Sequence, residues 1–208
     1  MTRIPNEFRA SGFTLIEALV ALVVFAVMAT MGYRGLSAVL DARTQLAAES
    51  RKWRDLTLFF IRVESDLGAV VNRPIRDTYD QLQASFVGKP DPAGDTDGLF
   101  AFTRLGIPGS TGPSLAIQRL TYRLRDGKVE ILAWPSPDQA PRVTPKVHTL
   151  LENVSDLKVG YLDAASRQWQ TRWAPQPSAS VLPLAVKLEM TMTSGEKFSR
   201  VFAIPPAL

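Results

Sequence analysis

The 208-residue sequence contains no cysteine and a single histidine, His148. The first absence excludes disulfides, thiolate metal sites and a cysteine nucleophile. His148 has no second imidazole with which to share a metal. On its Pro- and Lys-flanked segment it reads as an exposed or half-buried surface residue. A glycine-rich phosphate loop, a nucleophile elbow and a supported Ser–His–Asp set are all missing. Blocks of like charge are missing as well. Net charge is +4, but the 24 lysines and arginines are spread along the chain, so no nucleic-acid partner is expected. Asp91, Asp95 and Asp97 precede Gly98 without D-x-D-x-D-G spacing or a closing glutamate, and read as a solvated turn rather than a Ca²⁺ loop. The expectation is a protein that is not an enzyme, with no metal and no cofactor.

What is present is apolar. Hydrophobic residues make up 46% of the chain, alongside 15 prolines and 13 glycines, which suits one ordinary domain with many turns plus an additional element. That element stands at the N-terminus. After a polar leader carrying Arg3, Glu7 and Arg9 comes "GFTLIE" (Gly12–Glu17), then the fourteen-residue run "ALVALVVFAVMATM" (Ala18–Met31) with only Thr30 polar. Counted from Phe13, the apolar stretch covers roughly 30 Å as a helix, enough to cross a bilayer. Basic residues ahead of it favour a cytoplasmic N-terminus and an exported C-terminal portion. An ordinary signal peptide would use Val27-Met28-Ala29 as a loose cleavage site. Glu17 inside the apolar stretch, and a helical pattern continuing past Tyr33, count against that.

"GFTLIEALVAL" resembles the N-terminus of type IV pilins and type II secretion pseudopilins. The resemblance implies cleavage between Gly12 and Phe13 by a prepilin peptidase/methyltransferase, methylation of the new amine on Phe13, and an assembly role for the Glu17 carboxylate. A carboxylate costs about 2.5–3.5 kcal/mol at the centre of a membrane helix and less near its edge. Glu17 lies about 6 Å along the helix from Phe13. The cost is modest in a monomer that reaches headgroups, but in a filament Glu17 needs a partner. The Phe13 amine of a neighbouring subunit would supply it and set the axial stagger. The plainer reading is a glutamate favourably placed at a helix N-terminus.

From Gly35 to Leu67 the pattern remains helical, with Leu36, Val39, Leu46, Trp53, Leu56, Phe60, Val63 and Leu67 recurring at steps of three, four or seven. Gly32 and Gly35 mark the change from all-round apolar to amphipathic and would permit a bend. Beyond Leu67, strand-like runs cover 99–105, 115–124, 128–134, 156–162, 167–173, 184–192 and 197–204, with Asp126-Gly127 as a hairpin turn and Pro-rich 135–145 between two groups. Leu184, Val186, Leu188, Met190 and Met192 alternate with Ala185, Lys187, Glu189 and Thr191, so one face is buried. Trp169 and Trp173 are expected to pack one sheet face. The fold class is α+β and pilin-like: a long N-terminal helix, its first half transmembrane, then an antiparallel β-domain of two small sheets.

The segments "NRPIRD", "FTRLG", "IQRLTYRL", "LLENVSDLKVGYLD", "WQTRW", "LPLAVKLEM" and "FSRVFAIP", with Trp134 among them, occur in an order similar to the J-type minor pseudopilin of type II secretion. The chain departs from that family around Trp134, where it has Val129–Leu132 before the tryptophan and Ser136–Ala140 after it. The resemblance implies a leader at 1–12, a transmembrane helix half at 13–33, a periplasmic amphipathic half at 34–67 and a periplasmic β-domain at 68–208. It further implies a single-pass protein of the bacterial inner membrane, assembling with I-type and K-type minor pseudopilins into the tip that initiates the pseudopilus. Leu15, Ile16, Leu19, Val20, Leu22 and Val23 would pack the helical bundle. Contact with secreted substrate proteins is left open. Two alternatives stand: a minor pilin of a type IV pilus or DNA-uptake filament, and a membrane-anchored periplasmic binding domain or hydrolase.

Overall fold

The structure, a computed structural model, describes residues 14–91, 98–106, 116–140, 142–178 and 181–206. The chain divides into two compact units, Met1–Trp53 and Arg54–Leu208. The first helix, α1 (Leu15–Gly68, 54 residues), contributes to both. Thr14 starts it: its carbonyl accepts the Glu17 and Ala18 amides at 3.1 and 3.2 Å, and its hydroxyl oxygen accepts the Glu17 amide at 3.3 Å. Such capping satisfies a donor that the first turn would otherwise leave without a partner. The helix runs unbroken through Gly32 and Gly35. Thr30, the lone polar residue of the apolar run, donates its hydroxyl to the Val27 carbonyl at 2.8 Å, so the segment carries no stray donor there.

In the second unit eleven strands follow: β1 (Ile75–Arg76), β2 (Leu82–Gln83), β3 (Phe86–Gly88), β4 (Phe100–Leu105), β5 (Ile117–Arg125), β6 (Lys128–Ala133), β7 (Lys146–Leu151), β8 (Val154–Leu162), β9 (Trp169–Gln170), β10 (Ala185–Met192) and β11 (Lys197–Ala203). All pairings are antiparallel. They give a five-stranded sheet ordered β3-β4-β5-β6-β7, a four-stranded sheet ordered β11-β10-β8-β9, and a two-stranded ribbon β1-β2. The α+β fold is as expected, with the ribbon added to the two sheets. Asp126 and Gly127 both hold positive φ (50° and 73°), the requirement of a tight hairpin turn, and join β5 to β6.

The core forms where Leu56, Phe59, Phe60, Val63 and Leu67 of α1 meet inward residues of both sheets: Phe86, Phe100, Phe102, Leu120, Tyr122, Tyr161, Val186, Leu188 and Met190. Phe100 and Tyr122 stack at 4.8 Å between ring centroids. The apolar alternation expected for β10 is present, with Val186, Leu188, Met190 and Met192 buried. Gly88 and Trp173 exchange backbone hydrogen bonds of 2.7 and 2.9 Å and so connect β3 to the chain just beyond β9. A Cβ at Gly88 would come within 2.1 Å of Tyr161 Cζ, and Tyr161 is fully buried, so only glycine permits this crossing.

That crossing also corrects the expected strand over 167–173. Asp163 accepts the Ala165 and Ser166 amides at 3.3 and 3.2 Å, and Arg167 adopts a φ of 55°. This turn consumes the segment's start and leaves only Trp169–Gln170 as strand. The two tryptophans therefore part company. Trp173 is buried in the core, whereas Trp169 is 43% exposed with the Lys187 ammonium 5.4 Å from its ring centroid. His148 lies exposed on β7. Asp95 and Asp97 lie outside the described residues.

Carboxylates tie the ribbon to the segment after β6 and close it on itself. Asp138 accepts the Arg76 amide at 3.0 Å and pairs with Arg73 at 2.9 Å, while Gln139 donates its amide to the Arg76 carbonyl at 2.8 Å. Asp77 accepts the Tyr79 and Gln81 amides, both at 2.9 Å, and the Gln83 side-chain amide at 3.0 Å. Partial burial pushes the Asp77 carboxyl up, but these three hydrogen bonds outweigh it and hold the group below its ordinary 3.8. Asp138 is held below 3.8 chiefly by the Arg76 amide. Both carboxyls are depressed on folding, so their stabilisation is present above the unfolded value and is lost as pH falls through the folded values. Amide exchange across 75–83, corrected for intrinsic rates, should therefore accelerate below pH 3.8. Asp138→Asn should speed exchange already at neutral pH and flatten the acid response. Exchange in the ribbon that stayed constant through that range would contradict the assignment.

Candidate functional site

Two features of the structure have the chemistry of recognition rather than of packing alone. The first is the surface of α1 in the N-terminal unit. Leu15, Ile16, Leu19, Val20, Leu22 and Val23 are each exposed by half or more, as are Phe25, Met28 and Met31. At 3.6 residues per turn these positions cover every azimuth of the helix. The segment reaches a mean hydropathy of 2.3 over its most apolar eighteen residues, enough by length and composition to cross a membrane. A helix apolar all round is matched to lipid or to other helices and not to water. Its one carboxylate, Glu17, is in the first turn and exposed, with no cation against it among the described residues. Gly12 and Phe13, the expected cleavage and methylation positions, lie outside the described residues.

Thr14 and Glu17 are spaced as a capping box, T-x-x-E, and the threonine half of that box is formed. The sequence offers the helix-terminal role of Glu17 beside its partner role; the capping threonine is what the structure adds.

The second feature is buried polar chemistry in the C-terminal unit. Asp66 of α1 is fully buried. Its carboxylate accepts the Arg62 Nε–H at 2.8 Å and the Tyr122 hydroxyl at 2.6 Å, and pairs with Arg104 of β4. Burial first, and the Asp66 charge second, push the Tyr122 hydroxyl well above its ordinary value, so it serves as a proton donor throughout the physiological range. This cluster fastens α1 to the five-stranded sheet. Asp66 was not singled out from the sequence, although the signal existed: it falls seven residues after Phe59 and three after Val63, on the apolar stripe itself.

The opposite face of β5 is buried as well. Arg119, Thr121 and Arg123 are buried and alternate with core residues Leu120 and Tyr122, and Arg119 and Thr121 face a cleft that ribbon residues Ile75, Asp77 and Gln83 also line. Arg123 pairs with Glu130, its cross-strand neighbour, at 2.7 Å. Arg119 pairs with no carboxylate among the described residues. Its NH1 donates to the Ser85 carbonyl at 2.7 Å, the Ala84 carbonyl at 3.2 Å and Thr103 Oγ1 at 3.3 Å. Burial alone pushes its guanidinium down to about 9, which still leaves it a cation at neutral pH. Among the described residues no group of three or more His, Cys, Asp or Glu side chains is arranged to hold a metal.

Comparison with known proteins agrees with this architecture. The family profile described as "Type II secretion system (T2SS), protein J" matches residues 34–204, and that of the "Prokaryotic N-terminal methylation motif" matches residues 8–33. Type II secretion system protein J of Klebsiella pneumoniae is 30% identical over 200 residues, spanning 95% of this chain and 96% of its own. The Escherichia coli protein of the same name is 27% identical over 197 residues, spanning 93% of this chain and 96% of its own. A chain in the crystal structure of the GspK-GspI-GspJ complex from enterotoxigenic Escherichia coli superposes with a TM-score of 0.60 at 24% identity, covering 76% of this chain and 99% of that one. A profile match over 34–204, together with near full-length relatives and the same fold, places the chain in the type II secretion system protein J family.

Proposed function

We propose that the chain acts as a minor pseudopilin that joins I-type and K-type minor pseudopilins in the tip initiating the pseudopilus. The observation that carries this reading is the all-round exposure of apolar side chains along the first part of α1, a surface that only a membrane or other helices can cover. The solved assembly of GspK, GspI and GspJ supports the choice of partners. In this reading the segment 13–33 spans the inner membrane with a cytoplasmic N-terminus, and the C-terminal unit is periplasmic. The prepilin peptidase/methyltransferase removes residues 1–12 and methylates Phe13. Leu15, Ile16, Leu19, Val20, Leu22 and Val23 exchange lipid for neighbouring helices during assembly, and the Glu17 carboxylate takes the amine of an adjoining subunit. The C-terminal unit has a binding role and no catalytic one.

Intact-mass analysis of the protein recovered from membranes tests the processing step. The expected product lacks residues 1–12 and carries one added methyl group. A mature N-terminus at Met1, or one beyond Ala29, would contradict it. Co-purification of the full chain in detergent tests the assembly step: recovery of I-type and K-type minor pseudopilins is expected, and recovery of pilus subunits in their place would move the chain to a pilus filament.

A further inference from the structure

A cleft of about 210 Å³ opens between the β1-β2 ribbon and the outer face of the five-stranded sheet, lined by Asp77, Gln83, Lys89, Arg119, Thr121 and Trp134 among others. At roughly 30 Å³ per water it has room for about seven waters, or a polar fragment of similar size. Arg119 contributes a charged side chain that is only 4% exposed. A guanidinium carries five N–H donors, and the hydrogen bonds of Arg119 to Ala84, Ser85 and Thr103 all come from NH1. Among the described residues, Nε and NH2 donate to no group and no carboxylate pairs with the cation. The indole Nε1 of Trp134, which lines the same cleft, is buried with no hydrogen-bond partner among the described residues.

Buried charges in proteins are ordinarily paired, because desolvating an unpaired one is costly. The neighbouring arginines of this unit follow that rule: Arg104 has Asp66 and Arg123 has Glu130. Arg119 breaks it beside a cavity. Asp77 also lines the cleft, but its oxygens are occupied by Tyr79, Gln81 and Gln83. We propose that this cleft is a binding site for a carboxylate, with Arg119 as its cation and the outer face of β5 as its floor. The fork of a guanidinium matches a carboxylate in two parallel hydrogen bonds. A dianionic phosphate would suffer more from the Asp77 charge next to it. The site is independent of the helix-mediated assembly role and adds to it a pocket in the C-terminal unit that reads an acidic group, either a protein side chain or a free small acid.

The indole N–H resonances of the full chain in non-ionic detergent report on the site, with Trp134→Phe identifying the resonance that belongs to it. The probes are blocked glutamate (N-acetyl-glutamate N-methylamide), its glutamine analogue, acetate and inorganic phosphate, at constant ionic strength. The expected result is a saturable shift of the Trp134 resonance with the glutamate probe and none with the glutamine analogue. Tighter binding of the blocked glutamate than of acetate would identify a protein side chain as the source, and the reverse order a free acid. Arg119→Gln should weaken the affinity about ten- to a hundredfold, the size of a charge-assisted hydrogen bond or two. Should that variant unfold, Thr121→Asp offers Arg119 an internal carboxylate on the same face and should abolish the shift with Arg119 in place. No shift with either carboxylate, or a shift with phosphate alone, overturns the proposal.

Discussion

Asp66→Ala is expected to destabilise the C-terminal unit by about 3–5 kcal/mol, the usual cost of removing one partner from a buried ion pair. The loss is large because three groups depend on the one carboxylate. Arg104 is left as a buried cation, the Tyr122 hydroxyl loses its acceptor, and Arg62 loses its i+4 partner. Typical domains have only about 5–15 kcal/mol in total, so the variant should unfold at markedly lower denaturant. Tryptophan emission during denaturant unfolding of the full chain in detergent measures this, since Trp134 and Trp173 are both buried in the unit. Asp66→Asn, which keeps a neutral acceptor, should lose less. Pairing Asp66→Leu with Arg104→Met should recover much of the loss, because apolar replacements of buried ion pairs are often neutral or better. If Asp66→Ala unfolded within about 0.5 kcal/mol of the parent, a size ordinary for surface changes, the cluster would have no part in stability.

The second large effect is expected at Glu17. Glu17→Gln should leave membrane insertion and leader removal intact but cut incorporation into the complex with I-type and K-type partners by about a hundredfold or more, as loss of a desolvated charge pair implies. Secretion should fall with it. Thr14→Ala separates the two roles proposed for Glu17. It removes the cap and weakens the first turn by about 0.5–2 kcal/mol, without touching the carboxylate. Assembly near wild-type in Thr14→Ala together with failure in Glu17→Gln is the pattern that intersubunit pairing requires. Wild-type incorporation and secretion in Glu17→Gln would leave Glu17 with its helix-terminal role alone.

The features legible in the sequence are those with a strong local signature. The apolar run after Glu17, the alternation along β10, and Asp126-Gly127 between β5 and β6 each announce themselves within ten residues. The ribbon does not: Ile75–Arg76 and Leu82–Gln83 are too short for a period, and they persist because Asp77 and Asp138 tie down their backbone. β7 follows a Pro-rich stretch, carries exposed side chains along most of its length, and so lacks the apolar alternation that marks a strand. On β5 both faces are buried, so the polar residues that would ordinarily mark a solvent face are enclosed as well. Asp66 is marked only by its place on the apolar stripe of α1. Arg119 carries no such mark: a charged residue alternating with apolar ones along a strand ordinarily faces water, and only the tertiary fold reveals that it is enclosed. The segment 136–140 places Asp138 and Gln139 against Arg76 of the ribbon, so its first use is within the unit.

The backbone exchange between Gly88 and Trp173 has a bearing on how the C-terminal unit can extend by strand addition. It occupies the outer side of β3, and β9 is only two residues long, so β7 and β11 are the long strands at the outside of the two sheets. Each begins with a lysine, Lys146 or Lys197, and Arg200 follows on β11. A lysine at an edge strand is a common device against uncontrolled sheet growth. Strand addition is thereby blocked at the β3 side, and at the other two rims a visiting strand would meet a lysine at the start of the edge.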